Sequence, residues 1–118
     1  MWADIDYMEN YKDFTVGSSW DGYKAFLEKV HGEQRYFVPI VDAGIAYKSS
    51  AYSDASKSNF IKSPDGYVYY GKVWPGKSAF PDWFEKSTTE YWTKQLALFY
   101  QKMPFDGLWN DMNEISNF

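Results

Sequence analysis

The apolar positions of this chain fall into short runs with a two-residue rhythm and longer stripes with a helical rhythm. The first run, Trp2-Ala3-Asp4-Ile5-Asp6-Tyr7, predicts a strand. Side chains alternate along a strand, so Trp2, Asp4 and Asp6 are expected on one side and Ala3, Ile5 and Tyr7 on the other. Two acids on one inward face imply a polar purpose for that face. Ser18-Ser19-Trp20-Asp21 then reads as a capping box ahead of Tyr23, Phe26, Leu27 and Val30, an amphipathic helix closed by Gly32. Arg35 to Val41 is nearly continuous in apolar residues, as a strand covered on both faces requires, although Pro39 removes one ladder donor. Strand, helix and strand in this order form the βαβ unit of a parallel sheet.

The periodicity fails from Asp42 to Phe84, where Ser, Tyr and Gly are frequent. Within it Ser63-Pro64-Asp65-Gly66 predicts a turn between Asn59–Lys62 and Tyr67–Tyr70, a hairpin inside a long loop. An excursion of this length argues for a functional structure over one end of the sheet. Ser87-Thr88-Thr89-Glu90 is a second capping box, opening a helix with Tyr91, Trp92, Leu96, Phe99 and Met103 on its stripe and Pro104 at its end. Gly107-Leu108-Trp109-Asn110-Asp111 is the last predicted strand and runs into Met112-Asn113-Glu114. The order is β, α, β, long loop, α, β, with Asp42, Asp111 and Glu114 at or after strand ends. That is where parallel α/β folds place their sites. A complete (β/α)₈ domain needs roughly 250 residues, so these 118 residues are expected to be one piece of a single larger domain.

Composition narrows the chemistry. The chain carries 12 basic and 16 acidic side chains, a net charge of −4 and 22% aromatic residues. This balance lacks the positive footprint that nucleic acid or an anionic membrane surface needs. No apolar run reaches the ~20 residues of a membrane span, and Met1-Trp2-Ala3-Asp4 has neither the basic start nor the apolar stretch of a signal peptide. Location is not legible. With no cysteine and only His31, thiolate chemistry and a His-based triad or metal site are excluded, and any chemistry rests on carboxylates. Asp111, between Trp109 and Met112 and beside Asn113, is equipped to stabilise or attack an oxocarbenium-like centre, while a solvated loop acid or a helix N-cap fits the same pattern. Trp74, in Val73-Trp74-Pro75-Gly76, offers an indole face for a sugar ring or for packing of its own loop. Asp111-Met112-Asn113 lacks the glycine of a calcium loop, so no metal and no cofactor is implied.

In order along the chain, Trp2-x-Asp4-Ile5-Asp6-Tyr7-Met8 with Asp13-Phe14-Thr15, Ile40-Val41-Asp42, Gly71-Lys72-Val73-Trp74-Pro75-Gly76 with Phe80-Pro81-Asp82, and Phe105-Asp106-Gly107-Leu108-Trp109-x-Asp111-Met112-Asn113-Glu114-x-Ser116-Asn117-Phe118 closely resemble the glycoside hydrolase family 31 α-glucosidases. The resemblance spans essentially the whole chain. It implies a partial (β/α)₈ TIM barrel, about strands two to four, with two helices and an inserted subdomain over about residues 42–84. It further implies a retaining glycosidase acting on terminal α-linked glucose, with a carbohydrate substrate and the remainder of the barrel as its partners.

Asp111 matches the family nucleophile, and Glu114 a glutamate of the same signature with an orienting role. Asp4 matches the residue that binds the terminal glucose hydroxyls. Ile5, Ile40, Trp74, Trp109 and Met112 match the apolar walls of that subsite, and Asp42 falls beside its floor. Ala3, Ala43-Gly44 and Asn110 depart from the family pattern. Asn110 is expected at the helix-facing side of its strand, where an amide needs partners. The family's acid/base aspartate follows the signature, so this chain by itself is expected to be inactive. Two readings stand beside the hydrolase: a carbohydrate-binding fragment without chemistry, and a family relative acting as a transglycosylase or lyase.

Overall fold

The computed structural model describes all residues from Met1 to Phe118. Its organising element is a three-stranded parallel sheet in the order β1 (Trp2–Ala3), β2 (Val38–Asp42), β6 (Trp109–Asp111). The register sets Trp2 against Val38, Ala3 against Pro39, Ile40 against Trp109, Val41 against Asn110 and Asp42 against Asp111. Paired residues of parallel strands share a face. One face therefore carries Trp2, Val38, Ile40, Asp42, Trp109 and Asp111, and the other Ala3, Pro39, Val41 and Asn110. Pro39 is accommodated by the same register. Val38 donates its N–H to Met1 O at 2.8 Å, toward β1. The Pro39 nitrogen faces the opposite way, where pairing with β6 begins only at Ile40, so no ladder bond is forfeited.

The first predicted strand is much shorter than expected. After Ala3 the chain turns into a 3₁₀ turn, Ile5–Tyr7, capped by Asp4, whose Oδ1 accepts the Ile5 N–H at 2.7 Å. The shared face expected for Trp2, Asp4 and Asp6 is thus broken, and Asp6 is exposed. The turn is held from within by Tyr7, which is fully buried and donates its hydroxyl to Ile40 O at 2.6 Å.

Helix α1 (Tyr23–Gly32) buries Tyr23, Leu27 and Val30. Its expected capping box is instead a 3₁₀ turn, Ser18–Trp20, and the helix is entered through Gly22 at φ 86°, a left-handed backbone suited to glycine. Trp20 accounts for the difference, because its ring turns inward against Tyr7 and Phe37 at 6.1 and 6.3 Å. Helix α3 (Lys86–Lys102) buries Thr88, Tyr91, Gln95 and Phe99 and is capped by Glu85, just ahead of the predicted box. The core gathers Tyr7, Phe14, Phe37, Phe99 and Met103 between these helices and the sheet. Phe99 stacks on Tyr7 and on Phe105 at 5.8 and 5.7 Å. At the opposite end from the candidate site, Asp106 accepts the Phe37 N–H at 2.7 Å and pairs with His31 at 2.8 Å. Those bonds hold its carboxyl below the usual carboxylate range.

Residues 43–84 fold as a second unit of structure, an antiparallel sheet in the order β3 (Ile45–Ala46), β5 (Gly76–Ala79), β4 (Tyr70–Val73) with the short helix α2 (Ser50–Asp54). The predicted Ser63–Gly66 turn forms, with Gly66 donating to Ser63 O at 2.9 Å, but its flanks pair only through a single bridge, Lys62 to Val68. The full hairpin lies later, where Val73 pairs Gly76 and leaves Trp74 and Pro75 as the turn. Helix α3 anchors this excursion: Tyr91 donates its hydroxyl to Ala51 O at 2.8 Å and Gln95 donates to Asp54 Oδ2 at 3.0 Å.

Candidate active site

The C-terminal ends of β2 and β6 bring Asp42 and Asp111 side by side on one face. The Asp111 side chain is exposed, whereas Asp42 is only 2% exposed. Immediately after Asp111 the chain leaves the strand through Met112 at φ 56°. This left-handed conformation is costly for a side chain with a Cβ. Asp4, at the end of β1, and Glu114, beyond the Met112 turn, complete a group of four carboxyls around the strand ends. Their charges are felt at Asp42. Burial pushes its carboxyl up to about 7, and Asp111, Asp4 and Glu114 add to the effect in that order.

Both oxygens of Asp42 are buried without a hydrogen-bond partner, as is Oδ2 of Asp13. Asp13 does a backbone's work. The N–H groups of Val38, Ile40 and Asp42 point toward β1, yet β1 reaches only Pro39. Asp13 Oδ1 accepts the orphaned Asp42 N–H at 3.0 Å. Burial, with Asp42 nearby, holds the Asp13 carboxyl well above the ordinary aspartate value. The sequence offered no sign of this role, because Asp13 follows two short turns rather than a strand and no periodicity points it inward.

The apolar residues expected around the site divide by position. Ile40 and Trp109 are register partners beneath Asp42 and Asp111. Ile5 is half-buried in the turn after Asp4, and Met112 is half-buried beside Asp111. Below them an apolar groove of about 430 Å³, lined by Met1, Trp2, Val38 and Trp109, opens on the same face of the sheet. Trp74 is half-exposed at the β4–β5 turn, where its ring meets Phe118 edge-on at 5.2 Å. Glu114 is exposed, with Ser116 Oγ 3.4 Å from its Oε1. On the reverse face Asn110 is exposed and borders a groove of about 320 Å³ with Val41, Ala43, Trp83, Trp92 and Asn113. Within these residues no helix covers this side of β6.

Asp4, Asp42 and Asp111 stand at the ends of parallel strands, and a carboxylate so placed can accept hydroxyl hydrogens or act as a nucleophile toward an electrophilic carbon. Comparisons with known proteins agree with this architecture. The sequence model of the "Glycosyl hydrolases family 31 TIM-barrel domain" matches residues 1–118. Glucoamylase 1 of Candida albicans (strain SC5314 / ATCC MYA-2876) is 41% identical over 131 aligned residues, covering 100% of this chain and 14% of the relative. An alpha-glucosidase of Aspergillus niger is 40% identical, covering 100% of this chain and 13% of the relative. A crystal structure of the glucosidase II alpha subunit in its Glc1Man2-bound form superposes with a TM-score of 0.84 at 30% identity, over 99% of this chain and 13% of that one. The chain thus spans roughly one seventh of the curated relatives' length. The open three-stranded parallel sheet is part of a barrel that these residues alone do not close. This chain belongs to the glycosyl hydrolases family 31, as part of its TIM-barrel domain.

Proposed function

We propose that the protein containing this chain is a retaining α-glucosidase that removes terminal α-linked glucose from oligo- or polysaccharides, and that residues 1–118 form one piece of its catalytic domain, with residues 42–84 as a subdomain over the site. The observation that carries the reading is Asp111: an exposed carboxylate at the end of a parallel strand, level with Asp42 and followed by a strained turn. The family membership and the α-glucosidase relatives support it.

In this reading an oxygen of Asp111 attacks the anomeric carbon as the bond to the leaving oxygen breaks, giving a glycosyl ester. A second carboxyl, from the part of the barrel beyond this chain, protonates the leaving oxygen and then takes a proton from the water that hydrolyses the ester. Retaining enzymes hold two such groups about 5 to 5.5 Å apart. Asp4 binds sugar hydroxyls, Asp42 lies buried beside the floor, Glu114 orients the turn, and Ile5, Ile40, Trp74, Trp109 and Met112 wall the ring. The test is labelling of the full-length protein with a 5-fluoroglycosyl fluoride, followed by peptide mapping. The adduct is expected on Asp111. Time-dependent inactivation with the adduct on another carboxylate would overturn the assignment.

Asp4 sets the choice of sugar. One of its oxygens is engaged by the Ile5 N–H, which fixes the carboxylate and leaves the other for a hydroxyl. A carboxylate built to accept a hydroxyl discriminates against sugars that lack it. Asp4→Ala in the full-length protein should lower kcat/KM for glucosides by about 10- to 100-fold, and by less for the deoxy-glucoside missing the contacted hydroxyl. Equal losses across a deoxy series would reduce Asp4 to a cap of its turn.

A further inference from the structure

We infer that the segment Ser116–Phe118 is a strap that holds the Trp74 turn in place from the strand carrying Asp111, and that Asn117 and Gly71 are positioning residues for the sugar-binding wall; this rests on the placement of Trp74 in that wall proposed above. Strand β4 is the edge of its sheet, since the order is β3, β5, β4. Its residue Lys72 pairs with Lys77 of β5, yet both Lys72 backbone groups bond to the strap. The Lys72 N–H donates to Asn117 Oδ1 at 2.9 Å, and Phe118 donates its N–H to Lys72 O at 2.7 Å. The N–H and C=O of one residue in a strand point to the same side, so these groups face away from β5. The strap occupies the open edge, with a side-chain amide standing in for a strand carbonyl.

Gly71 makes that approach possible. A Cβ there would collide with the carbonyl oxygen of Ser116 and would crowd Phe80 Cε2 at 3.1 Å. Its place is set by this contact, as its φ is not positive. The strap then reaches the tip of the hairpin, where the Phe118 ring stands edge-on to Trp74 at 5.2 Å and 82°. Trp74 is half-exposed and projects from a two-residue turn, so its own loop offers it little to lean on. At the other end the chain runs back from the strap to the Met112 turn beside Asp111. One continuous segment therefore joins the candidate nucleophile to the indole, and the hairpin cannot shift without pulling on it. In a substrate complex this arrangement holds the stacking face against the sugar ring in ground state and transition state alike, so it acts on binding rather than on the chemical step.

The test is kinetic and uses the full-length protein with an α-glucoside. Asn117→Ala removes the acceptor and is expected to raise KM about three- to tenfold, the range of one hydrogen bond, with kcat changed by less than about twofold. Asn117→Asp keeps an acceptor oxygen and should restore most of the loss. Gly71→Ala, which displaces the strap by a different route, should raise KM in the same way. The deciding variant is Trp74→Ala, expected to raise KM about tenfold through loss of the stacking face. In that background Asn117→Ala should add less than about twofold, because it acts through the indole. If Trp74→Ala raises KM and Asn117→Ala still multiplies it in full, the strap is overturned while the sugar wall stands. A loss in Asn117→Asp as large as in Asn117→Ala also overturns it. Unchanged KM in Trp74→Ala overturns the sugar wall and the strap together.

Discussion

Asp111→Asn in the full-length protein is expected to reduce kcat by about 10³-fold or more, a loss of ~4 kcal/mol or more in barrier lowering. The substitution is nearly isosteric, so the fold has little reason to respond. What changes is chemical. An amide is a far weaker nucleophile than a carboxylate and does not stabilise positive charge at the anomeric carbon, so the glycosyl ester no longer forms. A substrate with a good leaving group relieves the need for acid assistance but not the need for a nucleophile, so the deficit should persist with an aryl glucoside. KM should change little, because the lost interaction belongs to the transition state. Kinetics of both substrates decide the matter: a kcat within tenfold of the parent would remove Asp111 from the chemistry. Partial rescue of Asp111→Gly, which removes the side chain, by a small external anion such as azide, with inverted stereochemistry in the glycosyl product, would identify the vacated position as the site of attack.

The parallel framework was legible because it is written in long-range periodicity. The βαβ order, the two helices and the last strand follow from apolar stripes that burial enforces, as at Tyr23, Leu27 and Val30 or at Tyr91 and Phe99. Element ends were less legible, because local groups compete there. Asp4 fits a strand's alternation, yet an aspartate is also a strong N-cap, and once it bonds Ile5 the strand stops. Trp20 displaced a capping box by entering the core. Trp74-Pro75 was not recognised as a hairpin turn, since such turns usually announce themselves through Asn-Gly or Asp-Gly.

The strand-end acids were visible as candidates from their position alone, and the ordered motifs attached roles to them. The register shows what spacing could not, that Asp42 and Asp111 stand level across two strands separated by most of the chain. Asp13 and Asn117 stand in the sequence only as members of longer motifs. Both act through bonds to backbone groups, Asp42 N–H and Lys72 N–H. No residue pattern encodes such a bond until the partner's strand edge is known to be open.

Asp42→Asn is expected to change how stability depends on pH, by up to ~4 kcal/mol between about pH 4 and 7, with roughly 3 kcal/mol of it above pH 5. In the folded chain the Asp42 carboxyl titrates at about 7, against 3.8 for an ordinary aspartate. Between those values the folded state holds a proton that the unfolded state has released. Stability contributed by this group is therefore complete below about 3.8 and is lost as pH rises through about 7. The cost of ionising it, integrated over that interval, is ~4 kcal/mol. It arises because two buried oxygens without donors would carry charge beside Asp111, Asp4 and Glu114. An asparagine has no charge to desolvate. Whatever constant penalty its amide brings, the variant should gain on the parent as pH increases from 5 to 8. Thermal or denaturant midpoints of both forms across that range measure the difference. A difference that stays flat would mean that Asp42 does not titrate there. One that reverses, with the variant falling behind above pH 7, would show that the rest of the barrel supplies a cation and that Asp42 serves as its buried anion. The expected result carries a functional consequence: a protonated Asp42 places no second negative charge directly beside the candidate nucleophile Asp111. Loss of glucoside affinity in the parent above pH 7, absent in Asp42→Asn, would be its kinetic counterpart.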